Sequence, residues 1–204
     1  MKEIEEMEQE IKDKWFNNHK AEITKRDDIT ILDWREPGTV IYSVRYIFCG
    51  SRLYISGDIG DAIFNLTWIA TPESFKGIEL SYFLSKLSCH SRERWYFDER
   101  KAMDDLKEWY EEDSFDAGEK SRKEILEIYS NVKKIIKSVS TPKEFEMELV
   151  NYYMDNSFYY YDSEDFSFIS DFGKKLPMCY VAYLLGIKLA NEQLNAQKEV
   201  SNAK

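Results

Sequence analysis

The spacing of apolar residues changes twice along this chain, and no other feature constrains its fold as tightly. From Glu22 to Trp68 apolar and polar residues alternate, whereas on either side the apolar residues recur every three or four positions. Alternation places one side of a strand in a core, and the longer spacing places one stripe of a helix there. Strands followed by a run of helices imply an α+β fold. Ile4, Met7, Ile11 and Trp15 form the stripe of an N-terminal helix over residues 1–20, with Glu3, Glu5, Glu6 and Glu8 near its positive end. Within 22–68, turn signals at Glu36-Pro37-Gly38, Cys49-Gly50-Ser51-Arg52 and Gly57-Asp58-Ile59-Gly60-Asp61 divide the chain into four strands of an antiparallel meander.

Residues 71–197 are expected to be largely helical and packed on the sheet. Thr71-Pro72 and Asp98 are helix-start signals, and Ser121 with Glu124 and Thr141 with Glu144 match the capping box. Leu80, Phe83, Leu84 and Leu87 form one helical stripe, and Met103, Leu106, Trp109 and Tyr110 form another. A last helix is expected from about Pro177 to Gln197, followed by a frayed tail over 198–204. No repeat and no Gly-, Pro- or Ser-rich linker interrupts the chain, so 1–204 is expected to be a single domain.

The Gly57–Asp61 run raises the question of chemistry. A nucleoside triphosphate loop requires a Lys and a hydroxyl residue that are missing here, and a dinucleotide fingerprint requires a third glycine and a following helix. A calcium loop requires more oxygen ligands. The run is therefore expected to be a turn. A metal site using Asp58 and Asp61, serving a nuclease or a nucleotide hydrolase, is the enzymatic alternative. The two histidines, His19 and His90, and the three cysteines, Cys49, Cys89 and Cys179, make no zinc or disulfide pattern. Cys89 and His90, expected at a helix end, are neighbours in sequence and poor partners for each other. The expectation is a protein that is not an enzyme and carries no cofactor.

Charge distribution is more informative. The net charge is -10, which repels nucleic acid and anionic membranes and favours basic partners. Asp98 to Asp116 holds nine acids and three bases, and Glu144 to Asp171 holds eight acids and no base, with the aromatic run NYYMDNSFYYYDSEDFSF inside it. Lys120 to Lys137 is locally basic. Carboxylates one helical turn apart, about 5–6 Å between Cβ atoms, can imitate a row of phosphates, and aromatic residues are enriched at contact hot spots. The partner-binding candidates are Asp104, Asp105, Glu108, Glu111 and Glu112 in the first stretch, and Asp155, Tyr159, Tyr160, Asp162, Glu164 and Asp165 in the second. A solvated acidic face beside a Tyr-rich core edge remains the alternative for both.

Three blocks, RYIFCGSRLYISGDIGDAIFNLTW, ELSYFLSKLSCHSRERWYFDERKAMDDLKEW and KLPMCYVAYLLGIKLANEQL, resemble a type II-A anti-CRISPR family of small acidic proteins from phages and mobile elements of gut Firmicutes. The resemblance extends from Trp15 to Leu194. It implies a cytoplasmic inhibitor that binds Cas9, or the Cas9–guide RNA complex, and blocks capture of target DNA. It supplies no single contact residue. The acidic balance fits a partner with a positively charged channel and argues against direct DNA binding, while the basic 120–137 segment leaves contact with guide RNA open. The longest apolar run, Met178 to Ile187, is too short to span a bilayer. A third reading is a phage interaction protein with Tyr159, Tyr160 and Tyr161 at a homodimer seam.

Overall fold

The computed structural model describes residues 2–91, 93–115, 119–155 and 163–202. The chain divides into two compact units, one formed by 1–94 with 177–204 and the other by 95–176. The second unit is thus an insertion in the first, where the sequence suggested one domain.

In the first unit, helix α1 (Lys2–Glu10) continues as a π-helical turn over Ile11–Trp15 and buries Met7 and Ile11 from the predicted stripe. Six strands then form one antiparallel sheet in sequence order: β1 (Lys20–Arg26), β2 (Ile29–Arg35), β3 (Val44–Cys49), β4 (Arg52–Gly57), β5 (Ala62–Asn65) and β6 (Leu87–His90). Two of these strands were not expected. The alternation from Glu22 to Trp34 is a hairpin rather than one strand. Arg26 pairs with Ile29, and Asp27 takes a φ of 49° in the two-residue turn between them, a conformation that Asp tolerates better than most residues. Leu87, placed by its spacing on a helical stripe, instead opens β6, because helix α2 (Leu80–Ser85) ends before it and Leu87 pairs with Phe64.

The alternation is realised as one buried face of the sheet. Leu32, Trp34, Val44, Tyr46, Phe48, Leu53, Ile55, Ala62 and Phe64 are all buried on one side of the sheet. Against them lies helix α7 (Met178–Asn202), whose residues are continuously buried from Cys179 to Ile187. A helix that is apolar all round belongs inside a core, and each such Leu, Ile or Phe side chain contributes roughly 1.5–3 kcal/mol by leaving water. α7 runs on through Asn202, past the expected end at Gln197, so residues 198–202 are helical rather than frayed. Thr71 caps a short 3-10 turn (Pro72–Phe75) with proline at its start, as its sequence signals. Helix α2 (Leu80–Ser85) buries Phe83 and Leu84.

The second unit begins and ends on a two-stranded ribbon, β7 (Tyr96–Phe97) paired with β8 (Lys174–Lys175). Between them lie α3 (Glu99–Phe115), α4 (Glu119–Ser138), α5 (Pro142–Asp155) and α6 (Ser163–Ile169). The expectation that the whole helical half packs on the sheet therefore needs correction. These helices bury a core of their own, built on Leu106, Trp109, Ile128, Val132, Ile136, Phe145, Leu149 and Ile169. Asp98 caps α3, its Oδ1 accepting from Lys101 N at 3.0 Å. The Thr141–Glu144 capping box is formed reciprocally. Glu144 N donates to Thr141 Oγ1 at 3.2 Å, and Glu144 Oε2 accepts from Thr141 N at 3.2 Å and Ser140 N at 2.9 Å. The Ser121 signal is displaced, since α4 already begins at Glu119.

Candidate functional site

Gly57–Asp61 is the turn joining β4 to β5. Gly57 has a φ of 150°, and a Cβ there would collide with Ser43 O. The two aspartates are tied differently, Asp58 through its carboxylate and Asp61 through its main chain. Asp58 Oδ2 accepts from Tyr42 N at 2.8 Å, while Asp58 N donates to Ser43 O at 3.0 Å. Asp61 is tied to the far side of the turn, its N donating to Ser91 Oγ at 2.8 Å and its O accepting from Ser91 N at 3.0 Å.

Asp58 has a specific mechanical role. Tyr42 lies at φ 54°, a left-handed conformation that costs a bulky residue of order 1–3 kcal/mol. Three contacts hold it there. Asp58 takes its N–H, His19 Nε2 donates to its carbonyl at 3.1 Å, and its ring stacks on Trp15 with centroids 4.8 Å apart. His19 is buried between Phe16 and Trp34, and that burial lowers its pKa from the ordinary value. Among the described residues, no group of three or more His, Cys, Asp or Glu is placed to hold a metal ion.

Cys89 and His90 lie in strand β6 and not at a helix end. Successive strand residues point to opposite faces, so the thiol and the imidazole do not form a catalytic pair. His90 meets the ring of Tyr180, centroids 6.1 Å apart. A shallow cavity of about 330 Å³ is bordered by Tyr54, Asp61, Ile63 and Cys89.

The acidic candidates separate into two kinds. Asp105 is part of the scaffold. Its Oδ2 accepts from Gly173 N at 2.8 Å and from Lys101 Nζ at 2.7 Å, fastening α3 to the chain just before β8. Asp104, Glu108, Glu111 and Glu112 are exposed on α3. Glu111 approaches Lys107 at 3.6 Å, a solvated pair of little energetic weight. Among the described residues, none forms an ion pair with Asp104, Glu108 or Glu112, which follow one another at four-residue intervals. The last turns of α3 also carry Glu111, Glu112 and Asp113 and no base. Acids at that end oppose the helix dipole, so the sequence holds them there against local stability.

Asp155, Glu164 and Asp165 lie on described helices, but their side chains are outside the described residues, as are Tyr159, Tyr160, Tyr161 and Asp162 altogether. A feature that the sequence reading missed lies between them and α3. The inward stripe of α5 buries Phe145 and Leu149. The opposite stripe is also apolar, with Met147 56%, Val150 38% and Met154 76% exposed. Its spacing of three and then four is legible in the sequence.

The charge belongs mostly to the insertion. Residues 95–176 contain 20 acids and 12 bases, a net of -8, against 18 acids and 16 bases, a net of -2, in the remainder. No protein-family model, curated protein or solved structure matches the chain. Among the described residues, no helix is long and apolar enough to cross a membrane.

Proposed function

We propose that the protein is a non-catalytic inhibitor that places its acidic helical unit against the basic nucleic-acid channel of a protein partner. The partner implied by the sequence resemblance is Cas9, whose channel is positively charged because it holds a guide–target duplex by its backbone. The observation that carries this reading is the concentration of a net -8 in residues 95–176, together with the row Asp104, Glu108 and Glu112, which forms no ion pair among the described residues. Such a row repels itself and costs stability in the free protein. Its compensation comes when a cationic surface covers it, which links the local disadvantage to binding. The Gly57–Asp61 turn lends little support to metal-dependent catalysis, because the Asp58 carboxylate is committed to Tyr42 N and Asp61 alone would leave a single carboxylate ligand at the turn.

Gel filtration with guide-loaded Cas9 from several sources, followed by target binding and cleavage, tests the proposal. Co-elution with loss of DNA binding is the expected result. Full cleavage and no co-elution across the set would overturn it.

A further inference from the structure

We infer that α5 presents a coiled-coil seam for a basic amphipathic helix of a partner protein. The inference rests on the reading of the helical unit as a docking surface and gives that surface its apolar anchor. Met147, Val150 and Met154 follow the three-then-four spacing of a, d and a positions. They lie on the side of α5 opposite to the buried Phe145 and Leu149, and their exposure ranges from 38% to 76%. Exposed singly, such residues need no explanation, but aligned on one helix they form a docking stripe. Methionine adapts its shape to a partner at little cost.

The flanks decide what that partner is. Counting Met147 as a, Glu146 stands at g and Glu144 at the preceding e, Glu148 lies one step further out at b, and all three are exposed. The one base on α5, Lys143, stands at the d position before Met147 and marks the N-terminal limit of the apolar seam; no further base occurs in the sequence before Lys174. Charges beside a and d set partner choice in helix pairing. A second copy of α5 would bring acids against acids. A helix with apolar a and d residues and Lys or Arg at e and g satisfies both the stripe and its rims.

The test uses the full chain and a synthetic helical peptide of about three heptads, with Leu at a and d and Lys at e and g. One companion peptide replaces Lys by Glu, and another replaces Leu by Ser. Binding is read by fluorescence anisotropy at low and high salt. The Leu/Lys peptide is expected to bind, the Leu/Glu peptide not to bind, and the Ser/Lys peptide to bind roughly tenfold more weakly, because the anchors carry the energy. M147Q with M154Q should lower affinity for the Leu/Lys peptide by about the same factor and leave its salt dependence unchanged. E146Q with E148Q should flatten the salt dependence. V150T should reproduce part of the Met effect, and circular dichroism checks that each variant is folded. Undiminished binding by the Met variant, equal binding of the acidic peptide, or no binding at all would overturn the inference. So would a dimer in light scattering that M147Q with M154Q dissolves, since a second copy would then be the occupant. The peptides contain no nuclease, so a negative result with Cas9 beside a positive one here would remove that partner and keep the seam.

Discussion

Gly186 offers a prediction in which two simple rules disagree in sign. It lies in α7, and alanine in a helix interior is favoured over glycine by about 1 kcal/mol. On propensity alone, Gly186→Ala should raise stability. The structure predicts the reverse. A Cβ at Gly186 would collide with the Tyr46 hydroxyl and come within 3.2 Å of Trp34 Cδ1 and 3.4 Å of Phe16 Cε2. Tyr46 is wholly buried, so its ring cannot swing into solvent to make room. Overpacking of this kind costs about 1–3 kcal/mol, and steric contact with an immobile ring places this site toward the upper end. Subtracting the propensity gain leaves a net loss of roughly 1–2 kcal/mol, equivalent to about 2–8 °C in Tm. The Tyr46 hydroxyl has no hydrogen-bond partner among the described residues, and burial raises its pKa well above the ordinary value. Tyr46→Phe should therefore be neutral or stabilising by up to about 1 kcal/mol. It should also remove the colliding atom, so the double variant should recover about 1 kcal/mol or more relative to the sum of the singles. Urea denaturation of the four proteins measures the cycle. A Gly186→Ala protein as stable as the parent, or a cycle with no coupling, would refute the close approach of α7 to β3.

Other expectations follow from the same structure. Burial depresses His19, so the unfolded chain binds its proton more readily than the folded one. Stability should be undiminished above the ordinary value of 6.5 and fall as pH drops through it; a His19→Asn protein with the same pH slope between 8 and 5 would contradict this. Thr141→Ala removes the N-cap acceptor of α5 and should cost the helical unit about 0.5–2 kcal/mol by urea denaturation. Replacing Glu111 and Glu112 by Gln relieves charge at the negative end of α3 and should stabilise that unit by about 0.3–1 kcal/mol while weakening partner binding; a loss of stability would mean that these acids have structural partners. Asp58→Ala should loosen the Tyr42 loop, seen as faster amide exchange at Tyr42, and added Mg²⁺, Mn²⁺ or Zn²⁺ should leave Tm unchanged.

Local rules served best where the deciding contacts are close in sequence. The α1 stripe, the Asp98 cap, the Thr141–Glu144 box and the Thr71-Pro72 start all involve neighbours within a few residues. The expected strand count failed at Asp27, where one residue in a left-handed conformation turns the chain back within the polar run Lys25-Arg26-Asp27-Asp28, which has no Gly or Pro to signal a turn. It failed again at Leu87, whose helical spacing was overridden by pairing with Phe64. The two-unit division was hidden because its boundary is a ribbon of two residues per strand, too short to show any period. Asp105 and Glu108 look alike in the sequence, and only the distant Gly173 amide makes one a fastening and the other a surface charge.

The β7–β8 ribbon has one more consequence. Tyr96 and Lys175 are paired neighbours, so the chain leaves for the helices and returns through strands only about 5 Å apart. Such an insertion resembles a cartridge with both ends in one socket. A short turn joining Arg94 to Pro177 should close the sheet unit without it, and a foreign helical hairpin with equally close ends should fit in its place. The acidic surface would then be a replaceable part of this protein, free to vary in length and charge while the sheet and α7 remain as they are.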